Sequence, residues 1–393
     1  LGGLRALRNR WGILAVLFVV RLTMAFQFQS VASVAPLLGR EFGVGLADIG
    51  ILIGLYFTPG IALALPGSAI GQRFGDKKTV LAALLLMLIG GLAMALSLSW
   101  NVQVAGRLVA GGGAVLMNVL LTKMMADCFA AKEIATAMAI FVNSWPVGIA
   151  LSLLMLPLIG TTYGVGAVHL AVAVLIGLAT ILLAAAYQAP SNSVSATLTS
   201  ARLERSTLVA VIVAGLMWGL YNLSFATIFS FGPSMLAERG WSIGAAGGTI
   251  SVGLWLAIVS VPAGGFFADR TGRPGSILVA GCTVFAILML LLSHCDAVIL
   301  AIIGLGLIGG LPAGPMLSLP ARVLRPETRA IGMGLFYTLY YAAMMVGPVI
   351  GGGCAKWAGS ASAAFDFGAV VLVTCPLLLW VFNRIAAALP PAA

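Results

Sequence analysis

The sequence has 393 residues, of which 61% are hydrophobic and only 8% charged, with a mean hydropathy of +1.12. A soluble domain carries roughly 25% charged residues, so this composition excludes a water-exposed globule. The net charge of +10 sits between apolar runs, which is a pattern of membrane topology and not of a nucleic-acid-binding face.

In chain order, Arg5, Arg8 and Arg10 precede an apolar run and imitate a signal peptide. The run continues past Arg21 to Pro36 with no small-residue cleavage site, so it reads as a first membrane helix over 11–38. Further runs cover 47–71, 79–99, 102–126, 134–160 and 164–187. The only long polar interruption, Ala189–Ser206, reads as a flexible cytoplasmic linker over 189–206. The runs resume at 207–235, 243–267, 276–294, 297–321, 328–353 and 364–388. Each is long enough to cross a bilayer, and backbone groups in lipid have no water to bond, so each is expected to be helical. The expected fold class is an all-α membrane protein of twelve transmembrane helices. Two pseudo-symmetric six-helix bundles, 1–188 and 207–393, flank the linker.

The halves repeat. Gly75 and Gly272, Pro36 and Pro233, and Glu41 and Glu238 all keep one offset of 197 residues. Sixteen of the 21 Lys and Arg residues fall on one side if the N-terminus is cytoplasmic, which places both termini in the cytoplasm. The five cysteines form no Cys-x-x-Cys pair and read as buried free thiols, so no metal site or cofactor is expected.

The second half contains Gly265, Asp269, Arg270, Gly272 and Arg273 in the spacing G-x-x-x-D-R-x-G-R. The first half departs from it, with Ser68 and Gln72 for the Gly and the Asp, then Arg73, Gly75 and Lys77–Lys78. The fourth span carries Arg107-x-x-x-Gly111-x-Gly113, and the eleventh carries Gly347-Pro348-Val349-Ile350-Gly351-Gly352. With twelve helices in a parallel repeat, these motifs resemble the major facilitator superfamily, in style its bacterial cyanate/nitrate-type or organic-anion porters. The resemblance implies a monomeric transporter of the bacterial inner membrane. It also implies that the loop acid helps to lock the outward-facing state, which makes Arg73, Asp269, Arg270 and Gly272 gating candidates. Gln72 forms no ion pair, so Asp269 is expected to carry more of that task. The arginines of the nitrate porters, in the second and eighth helices, are unmatched here. The fifth span has only Trp145-Pro146-Val147-Gly148 where drug/proton antiporters carry their motif.

A charge near mid-bilayer costs at least about 2.5–3.5 kcal/mol on insertion scales. Arg21 lies about ten residues from the end of its span, roughly 15 Å deep. Two roles are open to it: contact with an anionic solute, or bracing against helix carbonyls. Phe28 shares its face, and its repeat mate is Trp218. Arg107 divides evenly between structure and substrate contact, with Asn118 three turns along the same face. All eleven acidic residues lie at span ends or in loops, so an anion is the simplest neutraliser of these arginines. His169 and His294 read as peripheral.

Trp218, Tyr221, Asn222 and Phe225 share a face of the seventh span and suit a cavity wall. Tyr56, Asn143, Trp145, Tyr337, Tyr340 and Tyr341 are further candidates. Gln27, Gln29, Ser30 and Ser33 suit an outer vestibule, and Pro312 with Pro315 a kink. The expected partners are the lipid bilayer and a small anionic substrate, an organic carboxylate or small oxyanion, with no nucleic acid. The alternatives are an exporter of amphiphiles and, less favoured, a membrane receptor. Against an enzyme, the spans offer no metal cluster, Ser/His/Asp arrangement or paired carboxylates.

Overall fold

The structure, a computed structural model, describes residues 9–64, 66–129, 134–187, 203–325 and 328–389. Arg5, Arg8 and most of the predicted linker lie outside the described residues, as do the side chains of Ser68 and Gln72. Among the described residues, twelve helical spans are long and apolar enough to cross a membrane. The first six are Arg10–Ser33, Leu46–Leu63, Asp76–Leu96, Trp100–Phe129, Ile140–Tyr163 and Val165–Ala186. The last six are Arg205–Glu238, Ile243–Thr271, Pro274–His294, Val298–Arg322, Ile331–Ala358 and Ser362–Ala387. Because successive spans alternate in direction, Asn9, Gly75, Tyr187, Glu204, Gly272 and Ala388 share one side of the molecule, here the terminal side. Gly43, Ser97, Gly164, Arg239 and Gly359 lie on the opposite, far side.

The repeat has a local cause. Gly75 and Gly272 both have positive φ, 87° and 63°, at the turn between the second and third spans of each half. A side chain there would strain the backbone, so the two glycines mark equivalent turns.

Proline explains most interruptions. The first span stops at Ser33, short of the predicted 38, because Pro36 has no N–H to continue the ladder; a separate helix, Ala35–Phe42, begins with that proline in its first turn. The second span breaks at Tyr56–Phe57, one turn before Pro59. The fifth breaks at Asn143, between helices Ile134–Val142 and Ser144–Tyr163, and Pro146 opens the second piece. The tenth breaks after Gly309 and restarts at Ala313, at the kink expected around Pro312.

The two sets of six spans pack tightly on the far side. A Cβ on Gly50 or Gly54 of the second span would strike the carbonyls of Pro348 or Met345 in the eleventh, and one on Gly247 of the eighth would strike Leu153 of the fifth. Small residues admit such backbone approach. Gln29 adds a bond from Nε2 to the Phe229 carbonyl at 2.6 Å, joining the first and seventh spans. Apart from that bond, the only hydrogen bond between the two sets among the described residues is at mid-depth, Asn118 Nδ2 to Tyr341 Oη at 2.9 Å. The interface is therefore closed on the far side.

Closure overturns the vestibule expected of Gln27, Gln29, Ser30 and Ser33, all of which are buried. Gln27 donates to the Met87 carbonyl at 3.0 Å, and the Ser33 and Ser152 hydroxyls share a bond at 3.2 Å. His169, expected to be peripheral, is also buried.

Candidate functional site

A cavity of about 180 Å³ lies at mid-depth between the two sets of spans. It opens toward the terminal side. Tyr337 on its wall is 39% exposed, whereas Tyr341, one turn nearer the far side, is 2% exposed. Its far end is sealed by rings. Phe28 packs against Phe57 at 4.9 Å, Trp145 at 5.5 Å and Phe229 at 6.1 Å between centroids.

Arg21 lines this cavity from halfway along the first span. Its guanidinium is anchored on one edge. Nε donates to Asn118 Oδ1 at 2.9 Å, and Nη1 to the Phe141 and Val142 carbonyls at 3.2 and 3.1 Å and to Ser144 Oγ at 3.0 Å. The break in the fifth span makes those acceptors available: Pro146 has no N–H to offer the Val142 carbonyl, whose helical partner it would be. The Phe141 ring lies 4.9 Å from the guanidinium carbon, a cation–π contact.

Nη2, with two of the five N–H donors of an arginine, has no hydrogen-bond partner among the described residues. Nor does Arg21 form an ion pair among them. Among the described residues no carboxylate pairs with its charge. Arg21 thus both braces the fifth span and, with Nη2 unbonded among the described residues, lines a cavity.

Asn118 links Arg21 to the other set of spans. Its Oδ1 accepts from Arg21 while its Nδ2 donates to Tyr341. Asn143, Trp218, Tyr221, Asn222, Tyr337 and Tyr341 also line the cavity. Tyr221 Oη is fixed by the Gly309 carbonyl at 2.6 Å, an acceptor exposed by the break in the tenth span. Asn222 Nδ2 bonds back to the Trp218 carbonyl at 2.8 Å. Trp218 Nε1 is buried with no partner among the described residues.

The remaining named candidates lie elsewhere. Phe28 belongs to the seal and not to the lining. Tyr56 is fully buried, its hydroxyl bonded to the Met24 carbonyl at 3.2 Å and to Gln27 Oε1 at 3.1 Å. Arg107 is also fully buried and does not line the cavity. It donates to the carbonyls of Leu52 at 3.0 Å, Gln27 at 2.8 Å and Phe28 at 2.5 Å, and lies 4.4 Å from the Tyr56 ring centre. Such a guanidinium ties the first, second and fourth spans together.

Arg73, Asp269 and Arg270 are exposed at the terminal side, and Gly272 makes the left-handed turn there. Arg73 and Arg270 lie over their neighbours Phe74 and Phe266 at 5.4 and 6.0 Å, and Asp269 forms no ion pair among the described residues. In the first half the ion pair that does form is Asp76 with Lys123 at 2.8 Å. Sequence reasoning missed it. The signal was Asp76 itself, a carboxylate where the second-half motif has Arg273.

A profile of the Major Facilitator Superfamily matches residues 17–341 and 220–392. The chain belongs to that superfamily of membrane transporters, and is a multi-pass membrane protein rather than an enzyme. Solved structures of similar fold include the nucleoside transporter NupG, with a TM-score of 0.75 at 12% identity over 95% of this chain and 99% of that one. A D-xylose–proton symporter gives 0.75 at 16% identity over 95% and 97%. A bacterial homologue of the human lysosomal transporter Spinster, inward-facing and occupied, gives 0.74 at 15% identity over 98% and 97%. These likenesses are of fold. An uncharacterized transporter of Buchnera aphidicola is 25% identical over 154 residues, 38% of this chain, and the match spans 37% of that protein.

Proposed function

We propose that the chain moves a small anionic solute across a bacterial inner membrane by alternating access, with Arg21 as the principal anion-coordinating residue. The observation that carries this reading is a guanidinium at mid-depth that lines the central cavity and has, among the described residues, neither an ion pair nor a partner at Nη2. An anion supplies both the missing charge and the missing acceptors. The two bundles, 1–188 and 207–393, move against each other around this site. The concentration of Lys and Arg on the terminal side puts that side in the cytoplasm, so the closed far side describes an inward-facing state. The transporter works as a monomer. Asp269 and its loop, unpaired here, engage in the opposite state.

The test is thermal unfolding of the purified protein with acetate, oxalate, nitrate, sulfate or benzoate. A ligand at 100 times its Kd stabilises by about 2.7 kcal/mol. At least one anion is expected to stabilise the wild type and not Arg21→Ala; equal stabilisation of both would overturn the assignment. A second reading, export of amphiphiles, is favoured by the aromatic walls of the cavity. It requires solute binding to survive Arg21→Ala.

A further inference from the structure

The cavity walls differ in chemistry, and the difference narrows the solute class beyond the anion reading on which this inference rests. The first six spans contribute the charged and amide groups Arg21, Asn118 and Asn143, beside a single ring, Trp145. The last six contribute rings. Trp218, Tyr221, Phe225, Phe229 and Tyr340 line that wall, with Asn222 among them. The rings form a contiguous wall: Trp218 is inclined to Tyr221 by 27° at 5.7 Å and to Tyr340 by 30° at 6.3 Å, and Phe225 meets Phe229 edge-on at 6.1 Å.

A fully polar oxyanion fits this arrangement poorly. It would lose hydration on every side yet meet a cationic donor on one wall only. Aromatic faces carry negative potential and repel an anion laid against them, whereas they attract the edge or offset face of another ring. The cavity is also below the roughly 300–1,000 Å³ of sites for drug-sized ligands, which limits the solute to about one ring.

We infer that the solute is an aromatic monocarboxylate of one ring. Its carboxylate is held by Arg21 Nη2, and its ring lies against the Trp218–Tyr340 wall. The carboxylate direction is set by the edge of Arg21 fixed on Asn118 and the fifth-span carbonyls. Trp218 and Tyr340 are the specificity-determining residues.

Isothermal titration of the purified chain in lipid nanodiscs separates charge from ring. The probes are benzoate, its saturated counterpart cyclohexanecarboxylate, its neutral counterpart benzamide, and acetate and sulfate. Benzoate is expected to bind at least about threefold more tightly than cyclohexanecarboxylate, the low end of a ring–ring preference. Arg21→Gln is expected to weaken benzoate at least about tenfold. Tyr340→Leu is expected to bring the ratio of benzoate to cyclohexanecarboxylate affinity down to about one. That ratio would not move if Tyr340 were only structural. Equal binding of benzoate and cyclohexanecarboxylate, or tighter binding of sulfate or acetate, overturns the aromatic inference and leaves the anion reading standing. Benzamide binding as well as benzoate, or no binding by any anion, overturns both.

Discussion

The two arginines embedded in the spans are expected to respond to replacement in opposite ways. Arg107→Met deletes donors to the Leu52, Gln27 and Phe28 carbonyls and a contact with the Tyr56 ring. Bonds from a charged donor are worth about 1.5–3 kcal/mol each, but removing the guanidinium also removes the cost of burying it. The Leu52 carbonyl is left worst off. The break at Tyr56 turns that residue's N–H to Ile53 and Gly54, so Leu52 has lost its helical donor already. We expect a net loss of about 2–4 kcal/mol. Arg21→Gln differs. The lost bonds to Asn118, Ser144 and the fifth-span carbonyls are offset by roughly 2.5–3.5 kcal/mol no longer spent holding a charge at mid-depth. Stability should then change by less than about 1 kcal/mol. Thermal unfolding followed by tryptophan fluorescence, with and without a bound anion, gives both numbers. Arg107→Met is expected to lower Tm and keep the anion-dependent rise, whereas Arg21→Gln is expected to keep Tm and lose the rise. The reverse pattern would refute the assignment of brace and site.

Tyr341→Phe removes the acceptor of the mid-depth bond from Asn118. It should cost about 1 kcal/mol and raise the population open on both sides of the interface, read by double electron–electron resonance between labels on the two halves. Gly50→Val sets a side chain against the Pro348 carbonyl and should prevent far-side closure. In a background without native cysteines, Ser230→Cys, buried at 1% exposure, should then react with an impermeant maleimide; continued protection would argue against the closed interface. Pro146→Ala returns an N–H to the Val142 carbonyl and takes an acceptor from Arg21, so anion affinity should fall about 3–10-fold with the fold intact. Trp218→Phe keeps a ring and deletes a buried donor without a partner. It should stabilise the empty protein by about 1 kcal/mol, and a loss of stability would show that Nε1 is bonded in solution.

The body plan was legible because lipid leaves few options. Apolar runs of span length must be helices, and the offset of 197 residues revealed the duplication before any contact was known. Arg21 and the seventh-span face of Trp218, Tyr221 and Asn222 were legible for the same reason, since a charge or an amide within an apolar run needs an explanation. Depth alone left Arg107 evenly divided between structure and substrate contact. Periodicity puts a residue on a face but does not say whether that face meets a cavity or the neighbouring backbone, and here the second span closes over it. The vestibule polar residues were misplaced because the sequence carries no mark of conformational state. Gln29 would be free to line an opening only where the first and seventh spans part.

What the sequence did mark, without its meaning being read, is where helix carbonyls come free. Pro59, Pro146 and Pro312 each stand within a turn of a break that leaves a carbonyl without its helical donor: Leu52, Val142 and Gly309 respectively. In lipid no water fills those vacancies, so side-chain donors must. Arg107 bonds Leu52, Arg21 bonds Val142 and Tyr221 bonds Gly309. The three donors are positioned by the same rule, yet they end differently. Arg107 has an acceptor at each of its three nitrogens, and the single hydroxyl hydrogen of Tyr221 is used. Among the described residues, Arg21 alone of the three retains a nitrogen with no partner, and it alone combines that with a cavity wall and a charge paired with no carboxylate. A wholly unbonded nitrogen on a residue that lines the cavity is therefore what separates a site from a strut, and a bound anion that failed to engage Nη2 would remove the physical reason for placing it there.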